Sequence, residues 1–243
     1  MRPDAVQRVL DAELAAAGRR RGTEMPRVLD VGGGSGVWAV PLAVAGCVVT
    51  VVEPSPNALA TLHRRAADAG VAHLVTAVQG DTDALLDLVS EGEADLVLGH
   101  GLLEVVDDAE VALAALAAAA APGGAVSVLV ANRFAAVLHR AVAGKLVDAR
   151  RLLDDDAGQL AGTRDPLRRR FDVAGLESLV ATAGLDVELL QGHGVVSDLV
   201  PGSVLESSVG AADALAELEL AAATRSPLRD VAARLHVLAR RPG

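Results

Sequence analysis

Apolar and polar positions along this chain fall into blocks whose period changes from two to about 3.6 and back. Short apolar runs of strand length stand at residues 27–31, 48–53, 72–79, 95–99 and 125–131. Between them lie segments with helical spacing, at about residues 3–17, 35–45, 56–69, 82–89 and 108–121. Ser55 reads as an N-cap, Pro56 as first turn and Gly70 as the stop of the third helix. The run Arg19-Arg20-Arg21 reads as a basic loop. After the fifth strand the rhythm alters. Residues 133–156 have helical spacing and would lie above the strand ends, where ligands bind in this architecture. A charged loop at 163–170, a helix at 172–183 stopped by Gly184, a strand at 185–190, a helical insertion near 203–224 and a last strand at 234–239 complete the pattern. The expectation is an α/β fold: a doubly wound, mostly parallel seven-stranded sheet with a helical lid. It forms one domain over residues 1–243, with helical insertions at about 133–170 and 203–224.

Two segments of 22 residues, 31–52 and 111–132, carry no charge and have the length of a membrane span. Glycines 32, 33, 34, 36 and 46 with Pro41 interrupt the first, and Pro122-Gly123-Gly124 the second. Each is better read as two buried elements and a turn, so no membrane segment is expected. The first residues lack the apolar core of a signal peptide, which points to the cytoplasm. A net charge of −10 works against a general affinity for nucleic acid. The only aromatic residues are Trp38, Phe134 and Phe171, too few for a base-stacking platform. Cys47 alone excludes an intramolecular disulfide or a cysteine zinc cluster, and six scattered histidines show no metal spacing, so no metal is expected. Nothing in the pattern specifies an oligomeric state.

The chemistry concentrates at Val28-Leu29-Asp30-Val31-Gly32-Gly33-Gly34-Ser35-Gly36, a strand that ends near an acid and runs through glycines into a helix. Glycine allows positive φ and lets the backbone approach a ligand without a Cβ in the way. Glu53 closes the second strand, where a carboxylate accepts hydrogen bonds from ribose hydroxyls in doubly wound folds. Together they indicate an adenosine-containing ligand. Gly34-x-Gly36-x-x-Ala39 fits a loose dinucleotide fingerprint, but Asp30 would set an anion against a pyrophosphate. S-adenosylmethionine carries an ammonium and a sulfonium and no phosphate, and the full Asp-x-Gly-x-Gly-x-Gly pattern resembles the first motif of class I methyltransferases. In Gln79-Gly80-Asp81, the acid reads equally as a receiver of the adenine amino group and as a helix N-cap.

Further residues narrow the resemblance. Arg27-Val28-Leu29-Asp30, His100-x-Leu102-Leu103-Glu104, Pro122-Gly123-Gly124, Asn132, Leu138-His139, Val142-Ala143-Gly144, Leu215 to Glu219 and Leu235-His236-Val237 resemble the bacterial tRNA 5-carboxymethoxyuridine methyltransferase family. That resemblance implies methyl transfer to the carboxylate of a modified wobble uridine. It implies that Gly32 and Gly33 line the cofactor, Glu53 holds its ribose, Gly80 and Asp81 its adenine, His100 flanks its methionine part and Arg2 pairs with its carboxylate. The chain departs from tRNA-acting members at Asp154-Asp155-Asp156, where they are basic. Arginines at 150–151 and 164–170 could form a basic path or simply a solvated face. A carboxylate nucleophile needs alignment and a cation, for which Arg133, Arg140 and Arg170 are candidates; a hydroxyl would need a base, His100 or His139. Both histidines also read as structural. The expectation is an S-adenosylmethionine-dependent O-methyltransferase of a modified tRNA or of a small metabolite. The alternative of another class is a binding protein without turnover.

Overall fold

The computed structural model describes residues 4–162, 164–207 and 210–243; Arg2 lies outside them. Seven strands form one sheet in the order β3-β2-β1-β4-β5-β7-β6. They are β1 (Arg27–Val31), β2 (Val48–Glu53), β3 (Val75–Gln79), β4 (Ala94–His100), β5 (Ala120–Ala131), β6 (Asp186–His193) and β7 (Arg234–Arg240). Pairs β1–β2, β2–β3, β1–β4 and β4–β5 are parallel, whereas β7 runs antiparallel to both β5 and β6. The fold class is as expected: seven strands, mostly parallel. Chain order reverses between β1 and β4, which opens a crevice at their C-terminal ends.

Two apolar layers cover the sheet. On one face α1 (Ala5–Arg21), α2 (Ala39–Val44) and α3 (Pro56–Asp68) bury Val6, Leu10, Leu42 and Leu62 against Val49, Val51, Leu96 and Leu98. On the other, α4 (Leu85–Leu88), α5 (Ala109–Ala119) and α8 (Val173–Thr182) bury Leu85, Leu113, Leu116 and Leu176 against Val97, Val126 and Val128. With both faces covered, the strands read as near-continuous apolar runs, which is why they imitate membrane spans in the sequence. Among the described residues no helix is long and apolar enough to cross a membrane.

Local chemistry explains where the boundaries move. The three arginines at 19–21 form the last turn of α1 and not a loop, where cations suit the helix dipole; Gly22, at φ 62°, ends the helix. The second helix begins only at Ala39, because Gly34 and Gly36 hold positive φ (56° and 78°). The helix expected over 133–156 is two, α6 (Arg133–Val142) and α7 (Leu146–Asp154), split at Gly144 with φ 73°. The insertion before β7 carries α9 (Gly202–Ser207) and α10 (Ala211–Ala222).

Both ends of the chain meet at one buried acid. Glu13 on α1 accepts from Arg240 Nη1 and Nη2, each at 2.7 Å, and from Arg20 at 2.6 Å; Arg240 also reaches Glu188 on β6. Burial alone would raise the Glu13 carboxyl, yet hydrogen bonds from Arg240 and Arg20 and their charges outweigh it and hold it below the usual range. The folded protein therefore gains stability from Glu13 above the normal carboxylate pKa and loses it as pH falls through the lowered value. Glu13→Ala should cost about 3 kcal/mol at neutral pH, because it strands Arg240 without its buried partner, and less at low pH. Denaturant unfolding of both proteins across the acid range measures this.

Candidate functional site

The crevice is shaped first by the turn after β1. The Gly32 N–H donates to Val52 O at 2.8 Å, which extends the β1–β2 ladder, and the chain then folds back over Asp30. At Gly33 a Cβ would stand 2.5 Å from Asp30 Oδ2 and 2.9 Å from Val51; at Gly36 it would stand 2.3 Å from Leu62 Cδ1. Only glycine fits either position without moving its neighbours. Arg65 on α3 braces the turn from outside, donating to Ser35 O at 3.2 Å and Oγ at 3.3 Å.

Glu53, at the end of β2, is tied to this turn. Its Oε2 accepts from Gly34 N–H at 3.1 Å and its Oε1 from Ser55 N–H at 2.9 Å. Gly80 donates to Glu53 O at 3.3 Å, and a Cβ there would lie 2.2 Å from Leu88 Cδ1, so a larger residue would have to displace that side chain. Asp81 follows; its Oδ1 accepts from Thr82 N–H at 2.7 Å. The two readings of Asp81 are compatible, because it caps this turn and also lines the cavity.

That cavity, about 380 Å³, brings together Gly32, Glu53, Gly80 and Asp81 from the sequence reading. It adds residues that the reading did not single out: Asp83, Val105, Val106, Asp107 and Arg168. Arg168 comes from the loop before α8, far along the chain, and no local period announces it. The following residue explains the position. Arg169 donates to the carbonyls of Leu103 (2.8 Å), Val106 (2.7 Å) and Asp107 (2.7 Å), while the Arg168 N–H donates to Glu104 O and its guanidinium pairs with Asp107. Arg168 and Arg169 thus fasten the segment before α8 to the turn after β4.

The remaining candidates separate. Asp30 does not line the cavity; it is shut beneath the turn, 1% exposed, with Oδ2 lacking a partner. Arg133 is not directed to a ligand. It is buried, donating to Asp172 Oδ2 at 2.6 Å, Asp156 Oδ1 at 3.2 Å and Asp155 O at 3.1 Å. Arg170 is likewise held by Asp165 at 2.6 Å and Gly158 O at 2.9 Å, and Arg140 lies 3.9 Å from Asp165. His139 sits exposed on the last turn of α6, outside the cavity lining.

His100 ends β4 and is half-buried, its ring edge-on to Trp38 at 4.8 Å between centroids. Its Nε2 lies 2.8 Å from Ser127 Oγ, which lies 2.8 Å from His236 Nε2; His236 Nδ1 in turn is 3.0 Å from Gln191 Nε2. Burial, with the charges of His236, Arg234 and His193, keeps His100 well below the ordinary histidine range, so it is uncharged and a poor base at neutral pH. Ser127 and Gln191 are polar positions inside apolar strands, a signal that the sequence does carry. No group of three or more His, Cys, Asp or Glu among the described residues is placed to hold a metal.

Asp30 gives a test. Burial first, and the Glu53 charge second, push its carboxyl from 3.8 up to about 7. Between about pH 4 and 7 the folded protein keeps a proton that the unfolded chain releases, so stability falls as pH rises through that window. Asp30→Asn should remove this slope and exceed wild type in Tm above pH 7. Thermal unfolding from pH 4 to 8 measures it, and an unchanged slope would place the titration elsewhere.

Comparison with known proteins agrees with this geometry. A family model described as a methyltransferase domain matches residues 3–190. The tRNA 5-carboxymethoxyuridine methyltransferase of Escherichia coli K12 is 31% identical over 140 residues, 57% of this chain and 52% of that protein. A ubiquinone biosynthesis O-methyltransferase of Rhizobium leguminosarum is 33% identical over 108 residues, 44% of this chain and 41% of that one. The chain thus spans about half the length of the curated relatives it matches. Among solved structures, a protein of Methanosarcina mazei described as a SAM-dependent methyltransferase superposes with a TM-score of 0.61 at 15% identity, over 90% of this chain and 94% of that one. The [4+2]-cyclase SpnF superposes at 0.59 and 18% identity, over 97% and 83%, a likeness of fold alone. This chain belongs to the methyltransferase-domain family, with the fold and glycine turn of class I S-adenosylmethionine-dependent methyltransferases.

Proposed function

We propose that the protein transfers a methyl group from S-adenosylmethionine to an oxygen of a small acid or alcohol. The charge of the cavity is the observation that carries the donor. Its lining has four carboxylates, Glu53, Asp81, Asp83 and Asp107, and one guanidinium, Arg168, already paired with Asp107. Such a lining repels a pyrophosphate and suits a cationic nucleoside without phosphate. When bound, S-adenosylmethionine supplies an electrophilic methyl group on a sulfonium. Glu53 would accept from the ribose hydroxyls, with its orientation set in advance by the N–H groups of Gly34 and Ser55. Gly80 and Asp81 would border the adenine, and Leu102, Val105 and Val106 would exclude water above the turn.

The acceptor follows from where the arginines go. Arg133, Arg169 and Arg170 are engaged inside the fold, and Arg150 pairs with Asp154. Of the two clusters, Arg150, Arg168, Arg169 and Arg170 are thus tied to groups of this chain, and a net charge of −10 adds repulsion of a phosphate backbone. The relative named for tRNA supports a second reading, a carboxylate on a modified nucleoside. For a carboxylate acceptor, Arg234 is the better candidate cation: it is exposed at the start of β7 and its charge acts on both His100 and Glu104.

Methyl-labelled S-adenosylmethionine, offered with a small-molecule extract and with tRNA in separate reactions, tests the reading. Label in the small-molecule fraction is expected, and removal by mild alkali would identify an ester. Label confined to RNA would replace it with the tRNA reading, and cofactor binding without transfer to any acceptor would mark a binding protein. With a carboxylate acceptor in hand, Arg234→Gln should raise its KM about tenfold and change kcat little.

A further inference from the structure

One polar side chain from each of four neighbouring strands joins a single line across the sheet: Gln191 on β6, His236 on β7, Ser127 on β5 and His100 on β4. The line has a direction. An amide nitrogen only donates, so Gln191 Nε2 at 3.0 Å makes His236 Nδ1 an acceptor without a proton. Burial and the charge of His193 push His236 down to about 3, so it is uncharged and carries its one proton on Nε2. That proton goes to Ser127 Oγ at 2.8 Å. The single hydroxyl hydrogen of Ser127 then turns to His100 Nε2, also at 2.8 Å. His100 keeps its proton on Nδ1, and that atom is buried with no partner in the protein.

We propose that this relay fixes His100 as an uncharged Nδ1–H donor for an oxygen of the bound cofactor or acceptor, with Gln191, His236 and Ser127 as positioning residues. The ligand part rests on the reading of the adjoining cavity as the cofactor site. His100 immediately precedes Gly101 and Leu102 of that cavity and stands across from the turn of Gly32, two residues beyond the Asp30–Leu98 pair. The arrangement removes His100 from the role of general base, since its other nitrogen already accepts from Ser127. It favours an oxygen that is itself anionic or already a good nucleophile.

Long-range proton–nitrogen spectra of the full chain, labelled with nitrogen-15 at histidine, read the tautomers without any ligand. His100 is expected protonated at Nδ1 and His236 at Nε2, neither titrating between pH 6 and 8. Gln191→Glu, examined at pH 8, puts a carboxylate where the amide donates and should reverse the line: His236 protonated at Nδ1, Ser127 donating to it, and His100 protonated at Nε2. If that variant does not fold, Ser127→Ala should leave His100 without a single fixed tautomer while His236 keeps its own. A wild-type His100 protonated at Nε2 overturns the relay. S-adenosylhomocysteine should shift the Nδ1 proton if the oxygen is the cofactor's, and acetate added to that complex should shift it if the oxygen is the acceptor's. No shift with either overturns the ligand role. Calorimetry with S-adenosylhomocysteine reports separately whether the cofactor site exists, and the ligand-free tautomers decide the relay in either case.

Discussion

Between Asp30 and Gly33 there is no space for a methyl group: a Cβ would stand 2.5 Å from the carboxylate on one side and 2.9 Å from Val51 on the other. The backbone turns directly over a buried acid, and the crevice floor depends on that contact. Because the turn lies so close, the Gly34 N–H reaches the Glu53 carboxylate, which fixes the side chain that faces the cavity. Gly36 repeats the device against Leu62, seating α2 and α3 on the sheet. The acid under the turn and the acid at the end of β2 repel each other, which is part of the cause of the high proton affinity of Asp30. Tight packing at one glycine thereby couples the shape of the site to its electrostatics.

Much of this was readable from the chain alone, and the reason is locality. The bounds of β1 and β2, the Ser55 cap and the glycine turn depend on residues within a few positions of one another, and these agree with the structure closely, whereas residues 72–74, expected in the third strand, form a 3-10 turn before β3. Helix ends in the arginine-rich and alanine-rich stretches moved, because composition there carries little positional information; only the αL glycines at 22 and 144 mark the boundaries. Of the expected site residues, Gly32, Glu53, Gly80 and Asp81 line one cavity, whereas Gly33, Gly34 and Gly36 shape the turn without lining it. Arg133, Arg140 and Arg170 did not serve as free cations, since their aspartate partners lie 5 to 39 positions away and pair with them only after folding. Arg168 reached the cavity through the same long-range stitching.

Arginine in this protein often fastens one segment to another. Its planar fork lets one side chain hold several carbonyls at once, as Arg169 does, or bridge two acids, as Arg240 does. A fold with only three aromatic residues has few large rings to fill its joints, and guanidinium contacts supply rigidity at the loops instead. The chain as a whole keeps a net charge of −10.

The clasp between Glu13 and Arg240 joins residues 227 positions apart. Closing so long a loop carries a large entropic penalty that no local contact offsets in advance. In the finished structure the clasp ties the first helix to the last strand through a buried carboxylate and a guanidinium. The outer antiparallel pair of strands, β7 and β6, is secured by the same contact. Because Arg240 is held at once by an acid of α1 and an acid of β6, loss of either partner leaves the guanidinium with a single carboxylate, which couples the first helix to the outer strands.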